Sequence, residues 1–254
     1  MTIAGTSPFL SARGLGLDYG RFTAVGKIDL ELGTTGLHSL IGPNGAGKTS
    51  FFNIVSGRLP ASRGSLVFEG QDITRSGAHR RARLGMARSF QVTSLFGESS
   101  VLHNLQLAAM GVAPSRSYKF WSNWTRETQR LDVAMEVLRE LELTRHAAAP
   151  VASLAHGMQR VVEIGMCLAA RPRLLLLDEP LAGLGLADVP RITELLQRLK
   201  ARYAVLLVEH NMRVVMGISD RITVMFQGNV IAEGAPAAIR ENAQVRRVYL
   251  GSQS

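Results

Sequence analysis

The sequence predicts an α/β fold organised around a parallel β-sheet, and three features of the chain indicate it. Residues 173–178 and 204–208 are apolar runs without alternation, which is typical of strands covered on both faces. The segment between them carries apolar residues at helical spacing, so that strand, helix and strand succeed one another. A third apolar run, residues 38–41, leads directly into a glycine-rich loop and a helix. This order favours parallel strands joined by helices that cross over the sheet.

The first half of the predicted core follows residues 38–41. A helix over residues 49–55 comes after the glycine-rich loop and is closed by Gly57. A short strand over residues 66–69 comes next and ends at Gly70. We therefore expect a strand, loop and helix unit with a second strand close behind it.

The second half of the core contains the helix between the two buried strands and a hairpin. The helix has Asp188 as a candidate N-cap. Its apolar stripe consists of Ile192, Leu195, Leu196 and Leu199. Residues 222–226 and 230–232, joined across Gly228-Asn229, predict a β-hairpin beside the sheet. We also expect an antiparallel β subdomain that flanks the core.

Residues from about 92 to 157 differ from the rest of the chain. They are rich in helix-forming residues and contain no buried-strand pattern. We interpret this stretch as a helical subdomain inserted in the α/β core of a single domain, 1–254. Its Trp121 and Trp124 are consistent with either a docking patch or core packing.

Composition limits the setting in which the protein works. The chain has 254 residues, one cysteine (Cys167, expected in the core) and a formal net charge of +9 that comes mostly from arginine. No apolar run approaches the ~18 residues that cross a bilayer, and the N-terminus lacks a signal-peptide pattern, so we expect a cytosolic chain. The basic charge suits anionic lipid headgroups or solubility, and no aromatic-interleaved basic pattern favours nucleic acid.

An arginine cluster precedes Gln91. It consists of Arg75, Arg80, Arg81, Arg83 and Arg88. A solvated helix face explains such a cluster as well as contact with phosphate headgroups or a membrane subunit.

The glycine-rich loop matches the phosphate-binding pattern G-x-x-x-x-G-K-[ST] in full. Its residues are Gly42, Pro43, Asn44, Gly45, Ala46, Gly47, Lys48 and Thr49, followed by Ser50. The glycines allow backbone N–H groups to face phosphate oxygens, and the helix N-terminus behind them favours anions. Lys48 is expected to reach the β- and γ-phosphates of ATP, and Thr49 to bind Mg²⁺. The preceding strand and following helix are the context that this motif requires.

Two carboxylates follow the strand over residues 173–178. A strand that ends in Asp178 places this carboxylate beside the phosphate loop, where it can hold Mg²⁺ through water. Glu179 follows directly and is expected to polarise the attacking water as a general base.

With these motifs, nearly the whole chain resembles the nucleotide-binding subunits of ABC transporters. The resemblance implies a P-loop ATPase core, with Tyr19 stacking on adenine, Gln91 contacting Mg²⁺ and water, and His210 contacting the γ-phosphate. Residues 95–96, 101–105, 216–221 and 249–251 are similar to the subfamily of branched-chain amino acid importers, which also serves urea, short amides and some aromatic acids.

The resemblance also identifies a signature segment that would contact the ATP of a partner subunit. It consists of Leu154, Ala155, His156, Gly157 and Met158. Ala155 stands where the family has serine and Met158 where it has glutamine, while Gly185 replaces the usual Asp or Asn. A lost hydrogen bond to a charged phosphate costs roughly 1.5–3 kcal/mol. These departures suggest that the chain pairs with a different ATPase whose own signature is complete.

The resemblance implies a set of partners and a location. The partners are two transmembrane permease subunits, a second ATP-binding subunit (identical or different) and, indirectly, a solute-binding protein outside the membrane. The expected location is peripheral, on the cytoplasmic face of the inner membrane, without nucleic acid as a partner. The alternatives are a soluble ABC-type ATPase without a membrane partner and a weakly hydrolysing, nucleotide-dependent interaction subunit.

Overall fold

The computed structural model describes residues 8–89, 95–110 and 123–250. The strands are β1 (Leu10–Tyr19), β2 (Phe22–Leu32), β3 (Gly36–Ile41), β4 (Arg63–Phe68), β5 (Gln71–Asp72), β6 (Met86–Arg88), β7 (Leu174–Asp178), β8 (Ala204–Val208), β9 (Arg221–Phe226) and β10 (Asn229–Gly234). The helices are α1 (Lys48–Val55), α2 (Ala78–Arg83), α3 (Val101–Met110), α4 (Asn123–Glu140), α5 (His156–Ala169), α6 (Val189–Lys200), α7 (Met212–Ile218), α8 (Pro236–Glu241) and α9 (Ala243–Leu250).

The larger sheet confirms the predicted parallel α/β core. Its six strands lie in the order β10-β9-β3-β8-β7-β6. All neighbours are parallel except the β9–β10 hairpin. Every residue of β7 and β8 is buried, because helices cover both faces of these strands.

The smaller sheet is antiparallel and has the order β2-β1-β4-β5. Neither β1 nor β2 is predicted from the sequence. A signal for β2 is present, since Ile28, Leu30 and Leu32 are buried and alternate with exposed charged residues. This sheet lies close to the phosphate loop: Gly26 of β2 donates a backbone hydrogen bond to Gly228 at 2.7 Å, and Gly228 donates to Ala46 of the loop at 3.0 Å.

The turn of the β9–β10 hairpin lies one residue earlier than predicted. Asn229 pairs with Phe226 and so belongs to β10. Gln227 and Gly228 form the turn, with φ of 47° and 78°. Two successive residues with positive φ suit a tight two-residue turn, whose twist matches that of the strands.

Helix α6 confirms the predicted stripe but not the predicted cap. Ile192, Leu195, Leu196 and Leu199 are all buried. Asp188 has helical dihedral angles and makes no side-chain hydrogen bond to the helix. An N-cap side chain needs an extended backbone to reach back to the first N–H groups, so Asp188 does not cap α6.

Helices α3, α4 and α5 pack on one another, and their core is continuous with the larger sheet. One hydrophobic cluster contains Leu105 of α3, Leu138 of α4, Ile164 of α5 and Leu177 of β7. Cys167 belongs to the same cluster, as expected, and burial raises the pKa of its thiol to about 12. The subdomain boundary at about 92–157 stays a prediction.

The arginine cluster does not form one solvated face. Arg81 is fully buried, and its guanidinium donates to the carbonyl oxygens of Ile54 and Val55, at the end of α1, and of Ile73. These bonds join the end of α1 to the segment that contains Ile73, and the bond to Val55 pairs a carbonyl in the last turn of the helix. Arg88 is largely buried as well, whereas Arg80 is exposed. Neither buried arginine is therefore a headgroup contact.

Of the helices in the described ranges, none is both long enough and apolar enough to cross a membrane.

Candidate functional site

Three adjacent parallel strands bring the predicted site residues to one edge of the larger sheet. Strand β3 ends at the phosphate loop, its neighbour β8 ends before Glu209 and His210, and β7 ends at Asp178. Leu40, Val208 and Asp178 lie in register across these strands. Ligand sites in parallel sheets form at this carboxyl edge, because the strands end there and the loops diverge.

The glycines of the phosphate loop are required for different reasons. Gly42, Gly45 and Gly47 all have positive φ, of 153°, 77° and 95°. A side chain at Gly42 would come within 2.2 Å of the carbonyl oxygen of Met225, and one at Gly47 within 2.5 Å of that of Ala24. The loop backbone therefore lies in close contact with the backbone of Met225 at one end and with that of Ala24 at the other. At Gly45 only the backbone conformation demands glycine, since no described atom lies within 4 Å of the position that a methyl group would occupy.

The side chain of Lys48 folds back onto the first residues of the phosphate loop. Its ammonium is buried and donates to the carbonyl oxygens of Gly42 at 2.7 Å and Pro43 at 3.0 Å. Burial lowers the pKa of Lys48, whereas the negative charges of Glu179 and Asp178 oppose this shift. The cation therefore lies in the field of both carboxylates.

The outer face of the loop is open to a ligand. Asn44, Gly45 and Thr49 are exposed, whereas Pro43, Gly47 and Ser50 are half-buried. Ala46 is buried and accepts a hydrogen bond from the backbone N–H of Gly228 at 3.0 Å.

Asp178 lies at the end of β7 with its side chain fully buried. Oδ2 accepts a hydrogen bond from Arg88 Nη2 at 2.9 Å, and no described atom bonds to Oδ1. Burial raises the pKa of Asp178, and the charge of Arg88 opposes the rise. A buried carboxylate oxygen without a partner is costly and marks a place for a cation or water.

Glu179 and His210 face each other across the sheet edge. Glu179 has a positive φ of 51°, and its N–H donates to Val208 at 2.8 Å, so the chain turns sharply after Asp178. Its Oε2 lies 3.0 Å from His210 Nε2. Both side chains are partly exposed, which leaves them accessible to a ligand and water.

The sequence alone assigns no role to Glu209. It is buried, and its Oε1 accepts from the N–H of Leu181 at 2.9 Å. Its Oε2 accepts from the N–H groups of His210 at 2.8 Å and Asn211 at 3.1 Å. Glu209 thereby joins the loop after Glu179 to the loop that carries His210. The only sequence signal was a carboxylate at the end of an apolar strand.

Of the two remaining candidates, Tyr19 lies within the described residues. Tyr19 is half exposed at the end of β1, in the hairpin whose second strand brings Ala24 against Gly47. It is thus available for stacking on a base. Gln91 lies outside the described residues.

The signature segment lies at the start of α5. Ala155 occupies the N-cap position without a side-chain bond, and its carbonyl oxygen accepts from Met158 at 2.9 Å. Position 158, where the family has glutamine, is a methionine without a carboxamide. The carboxamide of the next residue, Gln159, donates to the carbonyl oxygen of Leu154 at 2.9 Å. Ala155 and the neighbouring His156 are exposed. The segment thus presents an uncapped helix start to solvent.

Gly157 is the buried member of the signature segment. A methyl group at this position would come within 2.3 Å of Asp188 Oδ1. Asp188 therefore packs against the start of α5, which accounts for the glycine there. Arg160, one turn along α5, donates weakly to the carbonyl oxygen of Glu179 at 3.4 Å and ion-pairs with Glu163 at 2.6 Å.

The C-terminal helix α9 contacts the phosphate loop. Tyr249 packs on the cluster that contains Ile41, the last residue of β3. Its phenol also forms a hydrogen bond with the backbone of Gly42, while burial raises the pKa of this tyrosine to about 12. The last described helix thus supports the first residue of the loop.

A groove of about 340 Å³ lies between α2 and β6 on one side and α5 on the other. Most of its lining is apolar, and Arg58, Arg88 and Glu163 contribute charge. Glu163 Oε1 is buried and has no hydrogen-bond partner within the described ranges. Burial raises the pKa of this carboxyl group, against the opposing effect of Arg160.

Comparison with protein families gives two matches. Residues 25–182 match the family described as "ABC transporter". Residues 229–253 match "Branched-chain amino acid ATP-binding cassette transporter", a region that includes Tyr249.

Curated relatives match over almost their full length. "High-affinity branched-chain amino acid transport ATP-binding protein LivG" of Escherichia coli K12 is 37% identical, over 97% of this chain and 99% of the relative. BraF of Pseudomonas aeruginosa, described in the same words, is 36% identical over 96% of this chain and 98% of its own.

Solved structures show the same fold. The ADP conformation of MJ1267, an ATP-binding cassette of an ABC transporter, has a TM-score of 0.85 at 29% identity, covering 97% of this chain and all (100%) of its own. A nucleotide-free ATP-binding cassette from an ABC transporter has a TM-score of 0.83 at 27% identity, with 96% and 99% covered.

Proposed function

Because the chain belongs to the ABC transporter family and is an ATP-hydrolysing subunit, we propose that it powers an importer for branched-chain amino acids or a related small polar solute. Urea, an amide or an aromatic acid are the related solutes. The observation that carries the site assignment is the meeting of the phosphate loop, Asp178 and the Glu179–His210 pair at one edge of the sheet. The solute class follows from the relatives of the chain.

The residues of this edge divide the work on ATP. The loop N–H groups and Lys48 bind the β- and γ-phosphates, for which Lys48 exchanges its carbonyl partners for phosphate oxygens. Glu179 orients the attacking water and accepts its proton, and His210 holds Glu179 and the γ-phosphate in position. Tyr19 stacks on adenine, and Gln91 contacts metal and water.

The residues present fit Mg²⁺. Among the described residues no three His, Cys, Asp or Glu side chains gather into a protein-only metal site. Mg²⁺ typically needs only one or two protein ligands beside phosphates and water. Exposed Thr49 and the unpaired Oδ1 of Asp178, with Gln91, would hold it. When bound, Mg²⁺ neutralises charge that develops on the phosphates.

The chain supplies half of each composite site. The phosphate loop binds one ATP, and the exposed start of α5 faces the γ-phosphate of the ATP on a second ATP-binding subunit. Ala155 provides no hydroxyl there, so the second site relies on backbone N–H groups and is weakened. This asymmetry supports a partner subunit that differs from this chain and has a complete signature.

The apolar groove is the proposed contact with the two permease subunits. It is bounded by α5, whose first turn is the signature segment, so a permease segment seated there would move with that segment. Closing the two ATPase subunits on ATP would then drive the permeases between two states, and hydrolysis would reopen them. In this proposal the chain lies on the cytoplasmic face of the membrane, and a solute-binding protein acts on the far side.

Purification of the tagged chain from detergent-solubilised membranes tests this function. We expect two hydrophobic permease subunits and an ATPase subunit to be recovered with it. Their recovery should depend on membranes, and ATPase activity should rise when the loaded solute-binding protein is added. Recovery of ribosomes or nucleic acid instead would support the soluble ATPase class and contradict transport. Recovery of the permeases without stimulated hydrolysis would support a weakly hydrolysing interaction subunit.

Restoring the signature hydroxyl tests the asymmetric pair. A155S should raise ATPase activity of the assembled transporter about ten- to a hundredfold if the weak site limits turnover. A201S, which adds the same hydroxyl at an exposed position at the end of α6, is the matched control. Unchanged activity of A155S would contradict the weakened second site.

A further inference from the structure

We propose that Arg88 is a positioning residue that sets the magnesium-binding carboxylate of Asp178 and ties it to the helix behind the phosphate loop. The proposal builds on the proposed role of Asp178 at Mg²⁺. Arg88 lies at the end of β6, beside β7, and its side chain is only 10% exposed. The sequence offered no reason to separate it from the surface arginines around it.

The guanidinium of Arg88 divides its hydrogen bonds between two elements. Nη2 donates to Asp178 Oδ2 at 2.9 Å. Nη1 donates to Asn53 Oδ1 at 2.6 Å and to Ser56 Oγ at 2.7 Å, near the end of α1. The same group lies 4.7 Å from the ring centre of Phe52, also in α1. One planar cation therefore cross-links β6, β7 and α1.

This cross-link fixes the separation of two proposed metal ligands. Thr49 lies in the first turn of α1, and Asp178 ends β7. Arg88 bonds to both elements, so its length and planarity determine how far apart they lie. A guanidinium is suited to this because its donors have a fixed geometry that lysine lacks.

The bond between Arg88 and Asp178 also leaves one carboxylate oxygen available. An Arg–carboxylate pair that served packing alone would gain most from two parallel hydrogen bonds. Here only Oδ2 is engaged, and Oδ1 is buried with no partner within the described ranges. The N–H of Asp178 donates to Ser89 Oγ at 3.1 Å, which further restricts rotation of the residue. The unengaged oxygen is thus held in one direction.

The test separates metal binding from nucleotide binding in the isolated full-length chain. Mn²⁺ affinity would be measured by electron paramagnetic resonance with a non-hydrolysable ATP analogue. Affinity for the same analogue would be measured by calorimetry with EDTA. R88M should weaken Mn²⁺ binding about 10- to 100-fold, as loss of a group that orients a metal ligand does. Its affinity for the ATP analogue in the presence of EDTA should change less than about twofold. R88K should fall between R88M and the unchanged chain.

R202M is the matched control. Arg202 also pairs with a carboxylate, that of Glu140 at 2.8 Å, and lies 5.6 Å from the ring centre of Tyr203, but far from the loop. It should leave both affinities unchanged. A second control uses the D178N background, in which R88M should weaken Mn²⁺ binding no further.

Several results would overturn the proposal. An equal loss of affinity with and without metal would show that Arg88 only maintains the fold. Unchanged Mn²⁺ affinity in R88M, or in R88K should R88M not fold, would remove its role. Additional weakening on the D178N background would show action through another group. Neither measurement requires the permeases or the partner ATPase, so these results are independent of whether the chain powers transport.

Discussion

The imidazole Nε2 of His210 lies 3.0 Å from the carboxylate Oε2 of Glu179, although the two residues follow different strands of the sheet. Buried Glu209 holds this pair together through bonds to the N–H groups of Leu181 and His210. A general base needs a fixed direction as well as a suitable pKa. The Glu179–His210 contact provides that direction before a ligand arrives.

Loss of the Glu179 carboxylate should stop turnover without preventing ATP binding. E179Q keeps the size of the side chain but cannot accept a proton, so ATPase activity of the assembled transporter should fall about 10²- to 10⁴-fold. ATP affinity of the isolated chain should change less than about threefold. E69Q, which alters a surface partner of Arg173, is the control. Full hydrolysis by E179Q would remove Glu179 from the role of base.

Two of the three glycines in the loop, Gly45 and Gly47, should differ in their tolerance of alanine. G45A adds only the strain of a positive φ and should destabilise the chain by about 1 kcal/mol. G47A adds a collision with the carbonyl oxygen of Ala24 and should cost about 3 kcal/mol, with loss of ATP binding. Urea denaturation and calorimetry measure both effects. Equal destabilisation would show that the collision is relieved by movement of β2.

Stability at acid pH should depend on His38. Its ring is buried and hydrogen-bonded to Thr223 Oγ1 at 2.7 Å, and burial lowers its pKa from 6.5 to about 4. The unfolded chain therefore binds this proton first as the pH falls. Stability from neutral His38 is complete above pH 6.5 and decreases by about 3 kcal/mol towards pH 4.

A substitution at His38 isolates this contribution. H38Q, which can still bond to Thr223, should flatten the acid side of the stability profile in urea denaturation. H79Q, at an exposed position, should leave the slope as it is. An unchanged slope in H38Q would assign the acid sensitivity to other groups.

Removal of the Tyr249 hydroxyl should weaken nucleotide binding. Y249F keeps the packing on Ile41 but loses the bond to the Gly42 backbone. A single hydrogen bond contributes about 0.5–1.5 kcal/mol, so ATP affinity should fall about two- to tenfold. Hydrogen exchange of the loop should rise in the absence of nucleotide. Y203F, which removes a tyrosine hydroxyl beside α6, should alter neither property.

Much of the core and of the phosphate site could be predicted because their signals are local. The apolar runs of β7 and β8 reflect burial on both faces, and the loop from Gly42 to Thr49 carries its glycines at fixed spacing. Errors arose where a local signal has two interpretations. Asp188 occupies the N-cap position of α6 but packs on Gly157 and does not cap the helix. The turn of the β9–β10 hairpin lies one residue earlier than the sequence predicts, because Asn229 belongs to β10.

The sequence by itself determined the parallel core, the phosphate loop and the position of Asp178 at the end of a buried strand, since each depends on neighbours in the chain. Only the tertiary structure decided which distant groups meet at the site. Arg88 and Asp178 are 90 residues apart in the sequence. Tyr249 and Gly42 lie even farther apart along the chain, although they are neighbours in space. Such contacts depend on strand order and helix placement, and residue spacing along the chain does not encode them. The same is true of Glu209, whose carboxylate acts on backbone groups that become its neighbours only when β7 and β8 pair.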